Sequence, residues 1–289
     1  MIITFASVAL LSLLPDAAFS QAASGLNLQR AGVTMPALDL ARLHFPPSDL
    51  PEADARENST RSIQPEEGLV RRSVRRTLQD QKSLYLAPFK PSNFKWHLLV
   101  LGGFGALLAT DRRIEKHLPG GNVNLYSNIS NVAIGTLSGA LTATWIYGFK
   151  TNNSKAKDMG YLELETLVNT FLIYTPMQLI GARQRPGEGN GMGDFGKHHS
   201  VNTSFPAGHP MFTWAMASTV AHEYPKPWVK ILAYGAATAV TGGRLLGRNH
   251  WASDTLLGSA LGYFIGSHVF HTRCNPQFST ACHRSSDDQ

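Results

Sequence analysis

Three polar groupings in the C-terminal half of the chain carry residue types that could handle a phosphate. The first, Gly181-Ala182-Arg183-Gln184-Arg185-Pro186, sets Arg185 directly before a proline. Proline disfavours helix for itself and for the residue before it, so Arg185 is expected where a helix ends. A guanidinium there can fork onto a phosphate through several charge-assisted hydrogen bonds. The second grouping, Ser204-Phe205-Pro206-Ala207-Gly208-His209, precedes an apolar run. Pro and Gly favour a tight turn into a helix, whose N-terminal N–H groups and dipole favour an anion. His209 is then placed to give a proton to a leaving oxygen. The third grouping runs from Gly243 through Arg244 and His250 to Asp254. Arg244 and His250 are six positions apart, on different faces of an unbroken helix, and Gly247 and Asn249 can supply the break that turns both inward. His250 and Asp254 are four apart, neighbours on one helix face. An Asp254 carboxylate that accepts one ring N–H would leave the other nitrogen of His250 free to attack phosphorus.

Six apolar segments must position these groupings, and each reads as a helix: Trp96–Thr110, Ile129–Phe149, about Tyr161–Ala182, Met211–His222, Trp228–Gly243 and Thr255–His271. Asp111-Arg112-Arg113 is expected to stop the first. The second carries no charge and is near the length that spans a bilayer. The last holds Gly258, Gly262 and Gly266, a small-xxx-small spacing that lets helix backbones approach closely. No β-alternation of comparable strength is present, so the expected domain is all-α.

Taken together and in this order, the groupings resemble the type-2 phosphatidic acid phosphatase family, which shares its fold with vanadium haloperoxidases. The family pattern is Lys-x6-Arg-Pro, Pro-Ser-Gly-His and Ser-Arg-x5-His-x3-Asp. Its counterparts here are Gln178-x6-Arg185-Pro186, Pro206-Ala207-Gly208-His209 and Gly243-Arg244-x5-His250-x3-Asp254, within about residues 96–271. The resemblance implies a membrane-associated six-helix bundle that acts as a phosphoric ester hydrolase and needs neither metal nor cofactor. His250 would be the nucleophile, Asp254 would orient it, and His209 would be the general acid. Arg185, Arg244 and the Gly208 amide would hold the phosphoryl oxygens, with Gln178 and Ala207 at the remaining phosphate-contacting positions. The chain departs from the pattern at Gln178, Ala207 and Gly243. A hydrogen bond to a charged group is worth roughly 1.5–3 kcal/mol, so each of the first two departures could slow turnover without abolishing it. Arg183 could substitute for the missing lysine.

Composition bounds the rest. Apolar residues make up 43% and charged residues 16% of the 289, against a usual charged share of about a quarter. Arg71 to Lys95 alone carries a charge of +6, equal to the whole chain's excess. Such a segment beside an apolar region suits an anionic membrane surface. It lacks the interleaved aromatics of a nucleic-acid site. Residues 1–20 read as a secretory signal, with an apolar run from Ile2 to Leu14 and Ala18-Phe19-Ser20 at the cleavage spacing. Residues 21–94 read as an extended, basic, largely disordered arm with a short amphipathic helix around Val70–Leu86. The helical domain follows over 95–272, then a polar tail, 273–289, in which Cys274 and Cys282 could pair in an oxidising compartment. The Gly-rich stretch Gly187–Gly196 lacks the Gly-Lys-Ser/Thr ending of a nucleotide loop and reads as a flexible border to the site. His198 and His199 could be imagined as zinc ligands with His209 and His250, but the phosphate reading uses the latter two better.

The expected partners are a lipid phosphate or small phosphate ester and a membrane. Two cues conflict over topology. A cleaved signal puts the N-terminus outside, whereas the basic stretch and Lys150, Lys155 and Lys157 place those segments inside. A bacterial-type envelope protein whose site faces the periplasm is the favoured expectation. The leading functional expectation is a metal-independent phosphatase working through a phosphohistidine. The alternative is a phospho-ligand binding or scaffolding protein whose turnover is weak or lost through Gln178 and Ala207.

Overall fold

Each charge-poor run forms a helix that starts before its expected limit, and all but the third, which stops at Gly181, also end beyond it. The computed structural model describes residues 69–91, 94–198, 202–279 and 281–282. These belong to the second of the two units into which the chain divides, Pro65–Gln289. The expected signal, most of the arm, His199 and the end of the tail lie outside the described residues. Helix α1, Leu69–Leu86, leads through a 3-10 turn, Ala87–Phe89, to α2, Phe94–His117. Then come α3 (Val123–Lys150), α4 (Ser154–Gly181), α5 (Gly208–Glu223), α6 (Pro227–Leu246) and α7 (Ala252–Arg273). No strand occurs among the described residues, so the fold is all-α.

The ends follow local chemistry. Asn153 caps α4 by accepting the Ala156 N–H at 3.0 Å. Pro227 occupies the first position of α6, where its missing N–H costs no helical bond. α2 does not stop at Asp111-Arg112-Arg113 as expected: Asp111 is buried and accepts from Arg183 and the Ser253 N–H.

α5 and α7 form the centre and run side by side in the same direction. Cβ atoms at Gly258, Gly262 and Gly266 would strike the carbonyl oxygens of Ala207, Met211 and Ala215, so the glycine spacing is what seats α7 against α5. Ile173, Met211, Ile265 and Val269 fill the contact between α4, α5 and α7. α3 lies against α6, with the Ser130 hydroxyl donating to the Val240 carbonyl at 3.2 Å. The buried Asp80 ties α1 to the bundle by accepting from Arg273 at 2.8 and 3.2 Å. The helical arm end is therefore packed, not extended. A disulfide joins Cys274 and Cys282 beside Phe270.

The outer helices carry the exposed apolar surface: Leu98, Leu99 and Leu101 on α2, Ile129 and Val132 on α3, Leu179 and Ile180 on α4, Ile231 and Leu232 on α6. α3 is the helix among the described residues that is long and apolar enough to cross a membrane. The C-terminal ends of α2, α4 and α6 meet the N-terminal ends of α3, α5 and α7 at one end of the bundle, and the three polar groupings converge there.

Candidate active site

Two arginines and two histidines share this end. Arg185 follows α4, and its guanidinium donates to the Asn249 carbonyl at 2.9 Å, the Asn202 side-chain oxygen at 2.7 Å and carbonyls of Asn202 and Thr203 at 3.2 and 3.3 Å. Arg244, in the last turn of α6, donates to the Asn131 side chain of α3 at 3.2 Å, while its Nε is buried without a hydrogen-bond partner. Both guanidinium side chains thus bond only neutral groups and keep their charge uncompensated by any directly bonded carboxylate. Burial, and then the charge of Arg185, pulls Arg244 down to about 10.

His250 is 3% exposed, and its Nδ1 lies 2.7 Å from the Ser204 carbonyl oxygen. A carbonyl can only accept, so Nδ1 carries the proton and Nε2 holds the lone pair. Burial, Arg185 and Arg244 hold the ring's pKa well below its ordinary value, so the ring is neutral. His209, in the first turn of α5, feels burial and the same two arginines and is pulled down to about 3. Gly208 beside it is required sterically, because a Cβ there would lie 2.8 Å from the Tyr174 hydroxyl.

Asp254 does not bond to His250 as the four-residue spacing suggested. The helix begins only at Ala252, so His250 sits in the preceding loop and the helical neighbour relation does not apply. The Asp254 carboxylate instead accepts from the Ser204 hydroxyl at 2.6 Å and from Arg183 at 2.6 Å. It reaches His250 through Ser204, whose carbonyl accepts the ring Nδ1–H. Burial raises Asp254 to about 6, against the lowering effects of Arg183 and Ser204.

Gln178 lies one layer out. Its amide oxygen accepts from the Thr203 N–H and hydroxyl at 2.8 and 3.0 Å, and its amide nitrogen donates to the carbonyls of Pro206 and Thr203 at 3.0 and 3.4 Å. It staples the loop before α5 instead of offering a donor to an anion. Ala207 is fully buried, with its N–H on the Asp254 carbonyl at 3.2 Å. Arg183 does not replace the missing lysine, because its donors go to Gly193, Ser253, Asp254 and Asp111. The position before Arg244 is Gly243 because a Cβ there would lie 2.7 Å from the Tyr126 carbonyl oxygen and 2.8 Å from Ser130.

The Gly-rich loop is built rather than loose. Gln184 donates to the Asp194 carbonyl at 3.0 Å and Gly196 to that of Gly181 at 3.0 Å, closing it on itself. Gly193 has φ +69°, and a Cβ there would meet the Trp251 ring at 2.7 Å. His198 lies 2.9 Å from a Glu188 carboxylate oxygen. Asp111, Ser204 and Ser253 were missed as site residues; Ser204 at least lay within the second grouping, whereas nothing marked Asp111 beyond an acid at the edge of an apolar run.

Residues 164–277 match the family model of the PAP2 superfamily. The PAP2 match covers Gln178, Arg185, His209, Arg244, His250 and Asp254, while Asp111 and Asn131 lie upstream of it. A lipid A 1-phosphatase of Porphyromonas gingivalis is 35% identical over 65 residues, 22% of this chain. The matched stretch spans 15% of that relative's own length. No solved structure matches the chain.

Proposed function

We propose that this protein is a metal-independent phosphatase of the PAP2 type that hydrolyses a phosphate monoester or diphosphate, with a lipid phosphate as its substrate, through a phosphohistidine on His250. One observation carries the reading: two guanidinium groups bonded to neutral partners, Arg244 buried and Arg185 half-buried, flank a neutral imidazole whose Nε2 holds a lone pair. Arg185, Arg244 and the Gly208 N–H hold the phosphoryl oxygens and supply the positive charge that stabilises the transition state. Nε2 of His250 attacks phosphorus, the bond to the leaving oxygen breaks, and His209 gives that oxygen its proton. Water, deprotonated by His209, then attacks the phosphohistidine, releasing phosphate and restoring His250. The repulsion that pulls His209 down to about 3 comes after burial from Arg244 and Arg185, so an anion between the arginines raises His209 toward the range a general acid needs.

Lipid is favoured by the exposed apolar residues of the outer helices and by α3. The named substrate of the P. gingivalis relative points the same way. The basic stretch Arg71–Lys95 and Lys150, Lys155 and Lys157 favour the cytoplasmic side for those segments, so the proposed location is the cell envelope with the site toward the periplasm. The test is phosphate release by purified protein from phosphatidic acid, an isoprenyl diphosphate and a lipid A phosphate. Wild type should turn over at least one, unchanged by EDTA, and His250→Ala should release none; equal rates for the two proteins would sink the reading.

Gln178 and Ala207 favour a second reading, a phospho-ligand binding protein with weak or lost turnover, since neither offers the pattern's donor. It predicts tight orthovanadate binding without phosphate release, and activity gained by Gln178→Lys with Ala207→Ser.

A further inference from the structure

A second buried charge cluster lies behind the phosphate-facing residues, and its members touch no reacting atom. At its centre Arg183 is 2% exposed and stacked between the rings of Phe195 and Trp251, at 4.8 and 5.2 Å. It donates to Asp111 at 2.9 Å, to Asp254 at 2.6 Å, to the Ser253 hydroxyl at 2.9 Å and to the Gly193 carbonyl at 3.0 Å. Asp111, 2% exposed, also accepts the Ser253 N–H at 3.0 Å and the Ser253 hydroxyl. One cation thus faces two carboxylates out of reach of water. Such an arrangement contributes little to stability, because desolvating three charges offsets most of their attraction. Its bonds instead lead in one direction, from Asp111 to Arg183, to Asp254, to the Ser204 hydroxyl, and through the Ser204 carbonyl to Nδ1 of His250.

We infer that Arg183, anchored by Asp111, is a positioning residue for the His250 nucleophile. The inference rests on the phosphohistidine reading above. Arg183 fixes the Asp254 carboxylate, the carboxylate fixes the Ser204 hydroxyl, and the Ser204 carbonyl then holds the ring with Nε2 toward the phosphate. Only a guanidinium can do this, since its planar fork reaches Asp111 and Asp254 together while its faces stack on two rings. Lysine keeps the charge but loses the fork. Asp111 comes from α2, so the helix upstream of the PAP2 match would be part of the working site.

The test compares wild type, Arg183→Lys and Asp111→Asn by kcat, by orthovanadate affinity, and by the ring-nitrogen NMR signals of protein labelled with 15N-histidine. Misplacing a nucleophile by about 1 Å costs about 100-fold, so kcat should fall about that far in Arg183→Lys. Vanadate affinity should change by less than about threefold, because Arg185 and Arg244 are untouched. The His250 signals should lose the pattern of a proton fixed on Nδ1. Should Arg183→Lys fail to fold, Asp111→Asn carries the same three readouts, since it keeps the volume but removes the charge and one of the two accepting oxygens that anchor Arg183 and Ser253. An unchanged His250 pattern overturns the inference, as does a vanadate affinity that falls as far as kcat. The NMR comparison needs no turnover, so an inactive wild type would end the phosphatase reading while leaving the positioning claim to be decided by the ring signals.

Discussion

His250 owes its reactivity to what surrounds it. A lone imidazole titrates near neutrality, whereas burial beside Arg185 and Arg244 keeps this one neutral, and the Ser204 carbonyl selects its tautomer. Asp254 is the group that titrates in the working range, because burial lifts it to about 6. It is faced by Arg183 after α4, Asp111 of α2, the Ser204 hydroxyl before α5 and, at longer range, Arg185. Below about pH 6 it takes up a proton and can no longer accept from both Ser204 and Arg183. We therefore expect kcat/KM to fall on the acid side with an apparent pKa near 6. In Asp111→Asn that limb should move to lower pH, because the Asp111 charge raises Asp254. A limb that stays in place would belong to the substrate's own phosphate ionisation.

At the level of elements, the closeness of α3 to α6 and of α5 to α7 fixes which departures from the family pattern are tolerable. Gly243 stands where the pattern has serine, and the packing accounts for the departure, because Tyr126 and Ser130 occupy the space of a Cβ. Gly243→Ser should destabilise the fold by about 1–3 kcal/mol, read as a lower thermal midpoint, without raising activity. A midpoint equal to wild type would mean that α3 moves aside freely. Gln178 is a parallel case: its type suggested a weakened phosphate donor, while its four hydrogen bonds show a brace for the loop that carries Ser204.

Across the whole molecule, core and surface divide by helix. Among the described residues, α5 and α7 supply buried small and apolar residues, and the large apolar side chains left exposed lie on α1, the 3-10 turn, α2, α3, α4, α6 and the loop after α4. An exposed apolar surface of this breadth is costly in water and suits lipid. The protein expressed in bacteria should stay with the membrane fraction after a high-salt wash and enter solution only with detergent, as followed by ultracentrifugation and immunoblotting. Release by salt alone would show that the basic stretch, not the apolar surface, holds it there.

The sequence by itself determined the helical class, the six charge-poor segments, and the order and spacing of Arg185, His209, Arg244, His250 and Asp254, because these follow from local periodicity and from motif chemistry. The glycine ladder of α7 was equally legible, since only close backbone contact needs that spacing. Tertiary structure alone decided what Asp254 touches, where the donors of Arg183 and Gln178 go, and that Asp111 lies behind the site. Those outcomes depend on which helix ends meet, and the spacing along one chain carries no record of a partner 72 residues away.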